Sequence, residues 1–235
     1  MTQAFDLERV TFYGRSLAEY ERMFLLNFST WGGRSILDAP GGPASFSKEA
    51  RQFDIRACAV DPQYQHDPDT LQELAQKDID YVISKIEKTA NQRQWSYYQS
   101  LEQLKERQVN ILHDFIEDYR RDWPLRSHYL DASLPHLPFD DCTFDLALSG
   151  HFLFSFYTHF PTNLIIDSLL ELSRVAREVR VFPLRSNEQD RTALFVDLEI
   201  IITTLKKQNI DVEIQQSGFE FQVGANQLMI LKHAV

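Results

Sequence analysis

Cysteine is nearly absent: Cys58 and Cys142 are the only two in 235 residues. That excludes a disulfide framework and any Cys/His metal cluster, so no metal is expected. Each lies in an apolar stretch, which reads as a pair of reduced core thiols in a cytoplasmic protein. Long hydrophobic runs are missing too, so no segment is expected to span a bilayer. The opening "MTQAFDLERVTFYG" carries charges where a signal peptide needs an apolar run. Positive charge is short: 24 Lys and Arg against 34 Asp and Glu give a net charge of −10. Such a surface repels a phosphate backbone, which weighs against a nucleic-acid substrate. There are eight glycines, and one of their two adjacent pairs falls in "ILDAPGGPASF", Ile36 to Phe46. No linker or internal repeat divides the chain.

What is present is an alternation of apolar strands and amphipathic helices. "SLAEYERMFLL" (16–26) is helical and precedes a short strand, "SILD" (35–38). "ASFSKEARQF" is a helix, and "RACAVD" (56–61) a second strand ending in an acid. Asp67 is placed to cap a helix whose first residue is Pro68, where a missing N–H costs nothing. Another helix is expected from about 94 to 119. Strand character returns at "SHYLD", "FDLALSG" (144–150), "EVRVFPL" and "DVEIQQ". The end, "FEFQVGANQLMILK", reads as two strand-like pieces around Gly224. Helices alternating with strands imply a mostly parallel sheet covered on both faces. The two closing strands leave no room for a helix between them, so one must run antiparallel to its neighbour. A single domain over 1–235 is expected, with a helical insertion at about 62–126 serving as a cap or substrate platform. The aromatic run "WSYY" (95–98) either packs the two inserted helices together or lines a pocket.

In open α/β sheets a ligand sits beyond the carboxyl ends of the strands, where a glycine-rich turn lets backbone approach. "ILDAPGGPASF", "ACAVD", "LPHLPFDDCTFDLALSGHFLF" and "LLELSRVAREVRVFPL" come in that order. Together they resemble the class I S-adenosylmethionine-dependent methyltransferases, and particularly a little-characterised bacterial branch. The resemblance runs from Ser35 to about Leu184, apart from the helical section. It implies a Rossmann-like sheet of seven strands with one antiparallel strand near the C-terminus, and S-adenosylmethionine as cofactor. By that resemblance Asp38, at the end of the first strand, helps hold the methionine end. Ala39, Pro40, Gly41 and Gly42 form the loop beneath the cofactor. Asp61, followed by Pro62, accepts from the ribose hydroxyls. Counting back from Leu137-Pro138-Phe139 puts Ser133 and Leu134 at the adenine, with Asp131 as the alternative. Ser149 and Gly150 face the methionine part, and Arg15 is a candidate partner for its carboxylate. Tyr13 and Tyr20 accompany Arg15 in a segment expected to close over the cofactor.

His151 is the candidate general base, with Tyr157 and His159 nearby; the other reading of His151 is a structural histidine. Pro40 and Ala44 stand where the family more often has glycine, and the fifth strand is entered without the usual Pro-Gly-Gly turn. The expected function is methyl transfer to a small molecule. One rival is a non-catalytic methyltransferase-like binding or regulatory protein. A nicotinamide oxidoreductase is weaker, because the glycine spacing does not suit a pyrophosphate.

Overall fold

The computed structural model describes residues 7–185 and 192–234, the side chains of 192–196 excepted. Five strands pair in parallel: β1 (Ser35–Asp38), β2 (Arg56–Val60), β3 (Tyr129–Leu130), β4 (Phe144–Gly150) and β5 (Ala176–Phe182). Two more complete the sheet, β6 (Ile210–Gln216) and β7 (Gln227–His233), and β7 is antiparallel to both β5 and β6. The order is β3-β2-β1-β4-β5-β7-β6. This is the Rossmann-like seven-stranded arrangement that the resemblance implies, with one reversed strand.

Successive side chains of a strand point to opposite faces, and the core divides accordingly. Ile36, Leu146, Leu148 and Ile230 join the layer built on Phe24, Phe28 and Phe46. Leu37, Ala147, Val179 and Leu231 join the layer built on Leu169, Leu172 and Leu205. The first layer carries α1 (Leu17–Phe24) and α2 (Phe46–Arg51), the second α5 (Thr162–Val175) and α6 (Thr192–Lys207). Between β2 and β3 come α3 (Pro68–Lys88) and α4 (Leu101–Asp122), packed on each other through Leu71, Ala75, Leu112 and Phe115. Asp67 caps α3 as expected, accepting from the Asp69 and Thr70 N–H groups at 3.1 Å.

Four expectations need correction. The second inserted helix starts at Leu101, where Ser100 caps it by accepting from Gln103 N–H at 3.2 Å. "WSYY" therefore lies outside both helices. It does not pack the two helices together but packs α1 and the 219–221 loop, with Tyr98 bonded to Glu19 and Trp95 edge-on to Phe221 at 5.4 Å, and Tyr98 lines a cavity, as the other reading of this run has it. "FEFQV" is not a strand: Phe219 and Phe221 alternate because both turn inward onto Tyr98, at 6.2 and 4.8 Å. Cys142 is exposed in a turn at φ 52°, so only Cys58 packs against the core. No helix among the described residues is long and apolar enough to cross a membrane.

Candidate functional site

Strand order reverses between β1 and β4, and the loops leaving these two strands part there. A cavity of about 730 Å³ opens at that point, along the carboxyl edge of the sheet. Of the residues expected around a ligand, Ala39, Pro40, Gly41, Gly42, Asp61 and Pro62 line it. So do Ser133, Leu134, Gly150, His151 and Arg15. Asp131 is exposed and does not line it.

The loop after β1 is held by its own chain. Gly41 N–H donates to Val60 O at 2.9 Å, and Gly42 N–H to Asp61 Oδ2 at 3.1 Å. A Cβ on Gly41 would lie 2.7 Å from the Tyr64 hydroxyl and 2.8 Å from Ala59 Cβ. Its glycine is therefore demanded by packing against β2, whatever the ligand requires. Gly42 has φ +55°, the left-handed region that favours glycine. Asp61 also accepts from Gln63 N–H at 2.9 Å, capping the 3-10 turn Pro62–Gln65. Each carboxylate oxygen thus keeps a lone pair for a further donor. Burial pushes Asp61 up to about 6 against the two backbone hydrogen bonds.

Asp38 and Ser149 lie behind the wall, both wholly buried, and neither lines the cavity. They occupy the last turns of β1 and β4, where neighbouring strands close over them. Asp38 Oδ2 accepts from the Tyr20 hydroxyl at 2.7 Å, so it is Tyr20 that reaches the cavity. Asp38 Oδ1 and Ser149 Oγ have no hydrogen-bond partner. Burial pushes Asp38 up to about 8; the Tyr20 hydrogen bond opposes this and the Asp61 charge adds to it.

The sequence reading did not identify the clasp on the N-terminal strap, residues 7–15. Buried Asp78 of α3 accepts from Phe12 N–H at 2.6 Å and pairs with Arg9. Gln108 of α4 donates to Gly14 O at 3.3 Å. Gly14 crosses the first loop so closely that a Cβ would fall 2.0 Å from Pro43 O. The inserted helices hold this strap against the cavity, and Tyr13 and Arg15 line the wall it forms.

His151 sits at φ 51° directly after β4, its N–H donating to Phe182 O at 2.6 Å. Its Nδ1 accepts from Arg15 Nε–H at 3.2 Å. Arg15 Nη1 also donates to Glu19 and to the Tyr98 hydroxyl, each at 3.3 Å. Burial, with the Arg15 charge adding to it, holds the imidazole well below its ordinary pKa. The two alternatives to His151 are elsewhere. Tyr157 bonds to Asp197 of α6, His159 is exposed, and neither lines the cavity.

Comparison with known proteins gives a relative and a set of loose likenesses. No family model matches the chain. It is 27% identical over 228 residues to uncharacterized protein MJ0045 of Methanocaldococcus jannaschii, spanning 97% of this chain and 98% of that one. Among solved structures, a SAM-dependent methyltransferase from Aquifex aeolicus aligns at 13% identity and TM-score 0.42, over 92% of this chain and 95% of that chain. Magnesium protoporphyrin IX methyltransferase from Synechocystis PCC 6803 with bound SAM aligns at 13% identity and TM-score 0.43, over 86% and 71%. The PH0226 protein of Pyrococcus horikoshii aligns at 12% and 0.46, over 92% and 90%. Alignments this loose carry nothing about chemistry, and the sheet order stands on the strands themselves.

Proposed function

We propose that this protein binds S-adenosylmethionine and transfers its methyl group to a small molecule. The observation that carries the reading is the convergence, in one cavity at the strand-order reversal, of the β1 loop, Asp61, Ser133 and Gly150. The residues fit the cofactor. Asp61 would accept from the ribose hydroxyls through its remaining lone pairs, and Ser133 with Leu134 would face the adenine. The orphaned, buried Asp38 Oδ1 stands behind the methionine end, and Tyr20 carries its influence into the cavity. Arg15 Nη2 has no hydrogen bond within the described chain and is available to a carboxylate.

The cofactor supplies a methyl group on a good leaving group, a sulfonium. What remains for the protein is alignment and exclusion of water. The strap supplies the exclusion, since Tyr13 and Arg15 form a wall held by α3 and α4. The Tyr13 ring lies 5.5 Å from the Arg15 guanidinium, which fixes both side chains.

Isothermal titration with S-adenosylmethionine, S-adenosylhomocysteine and a nicotinamide dinucleotide tests the reading. Binding of the first two alone supports it, and binding of neither rejects it. A second reading, binding without turnover, is favoured by one observation: His151 Nδ1 is already engaged by Arg15. Labelled cofactor incubated with metabolite extracts separates the two, because only an enzyme transfers label.

A further inference from the structure

We infer that the inner end of the cavity takes an apolar, flat acid that is already ionised at neutral pH, and that His151 recognises it as a hydrogen-bond donor through Nε2. The inference rests on the methyl-transfer reading and names its acceptor class. The walls at this end are Phe152, Phe156, Phe160, Phe219 and Phe221. They come from the loop after β4 and the loop before β7, and they suit an aromatic or similarly flat body.

The polar groups among them are donors. A guanidinium has no lone pair and stays protonated, so in the Arg15–His151 contact the ring nitrogen must be the acceptor. Nδ1 is thus bare, and the single proton of the neutral imidazole is on Nε2. That assignment removes His151 as a general base: one nitrogen is occupied by Arg15 and the other already carries a proton. A neutral ring also agrees with its burial beside Arg15.

Three acids line the cavity, and each has partners of its own. Asp61 accepts from Gly42 and Gln63 and is assigned to the ribose, Asp78 holds Arg9 and Phe12, and Glu73 is exposed beside Lys77 on α3. Glu19 is tied to Ser16, Arg15 and Tyr98. Tyr13 and Tyr98 are pushed upward, chiefly by burial, and so stay protonated. Among the described residues, none at the inner end is free to take a proton from the acceptor. An acceptor that arrives ionised needs no base. Its oxygen lone pair forms the bond to the methyl carbon while the carbon–sulfur bond breaks and that electron pair stays on sulfur. The two charges cancel and no proton moves.

The test is calorimetric, with S-adenosylhomocysteine present at saturation. Benzoate, cinnamate and 3-phenylpropanoate are titrated beside their amides, which match them in shape and lack the charge. At least one carboxylate is expected to bind about tenfold or more tighter than its amide, as for a charge-assisted hydrogen bond. His151→Asn, which tolerates the left-handed backbone, should abolish that preference and leave S-adenosylhomocysteine affinity within a few fold. Histidine ¹⁵N spectra give a readout that needs no variant. Nε2–H with bare Nδ1 is expected at neutral pH. Amides that bind as well as the acids, no binding of either, or an Nδ1–H tautomer would overturn the inference while the cofactor reading stands. Failure of S-adenosylhomocysteine itself to bind overturns both.

Discussion

Asp38 and Asp61 are both acids at strand ends, yet they respond to pH and to mutation in different ways. Asp38 is wholly buried and pushed up to about 8, so it is carried into the fold as the neutral acid. The folded chain then binds one more proton than the unfolded chain between roughly pH 4 and pH 8. This contribution to stability is complete below the unfolded pKa and fades as pH rises through the folded one. The urea midpoint of the parent should therefore fall from about pH 4 to about pH 8 and level off above that. Asp38→Asn keeps an acceptor for the Tyr20 hydroxyl and cannot ionise. It should flatten that fall and exceed the parent at the alkaline end; parallel urea curves with the same slope in both proteins would rule this out. Asp61 lines the cavity, and its loss should be felt by the ligand. Asp61→Ala should weaken S-adenosylhomocysteine by roughly tenfold to a hundredfold, as for about 1.5–3 kcal/mol of charge-assisted bonding. Alanine at Ser133 and at Asp131 separates the two adenine assignments by titration. Harm at position 131 alone would show that the count back from Leu137 is out of register.

At the scale of elements, the strap is where the inserted helices meet the site. Three contacts of unlike kind help hold it to the fold: Asp78 on Phe12 N–H and Arg9, Gln108 on Gly14 O, and the close crossing over Pro43. A Cβ at Gly14 would press on backbone, 2.0 Å from Pro43 O and 2.4 Å from Pro43 C, so no side-chain rotation relieves it. Gly14→Ala should lift the strap while β1 to β7 persist. Limited proteolysis should then cut among residues 7–15 faster than in the parent, with far-UV circular dichroism unchanged. Equal cleavage rates would mean that the strap is held by something other than this crossing. Local signals could not reveal this arrangement. Asp78 reads in sequence as one more acid on a charged helix, and Gly14 as a glycine near the start of the chain. The start of α4 is legible in Ser100 followed by Gln103, a helix-start pattern, whereas the aromatic run before it extends the helical spacing without belonging to the helix. "FEFQV" misled for the opposite reason, since inward phenylalanines two apart imitate a strand.

For the whole molecule, the sheet was legible because its strands are short apolar runs bounded by acids, glycines and prolines. Asp38 and Asp61 mark two carboxyl ends, and Gly150 a third, which is enough to locate the crevice. The pairing of Arg15 with His151 was not legible, because 136 positions separate them and only the closed strap brings them together. That pairing changes the expected chemistry from a base to a donor. The strap, the first loop, β2 and β4 all meet the one cavity, so a ligand there should stabilise the chain as a unit. At a ligand concentration about a hundredfold above Kd, the gain is about 2.7 kcal/mol. For a domain of this size each kcal/mol shifts Tm by roughly 2–4 °C. S-adenosylhomocysteine should therefore raise Tm by about 5–11 °C. In Gly14→Ala, at the same ligand concentration, the rise should be smaller, because a lifted strap weakens binding and lowers the ratio of ligand to Kd. Differential scanning calorimetry of both proteins, with and without ligand, measures the two shifts. Equal shifts would show that the ligand is held by the sheet edge alone. No shift in the parent at any concentration would remove the cofactor from the reading of this site.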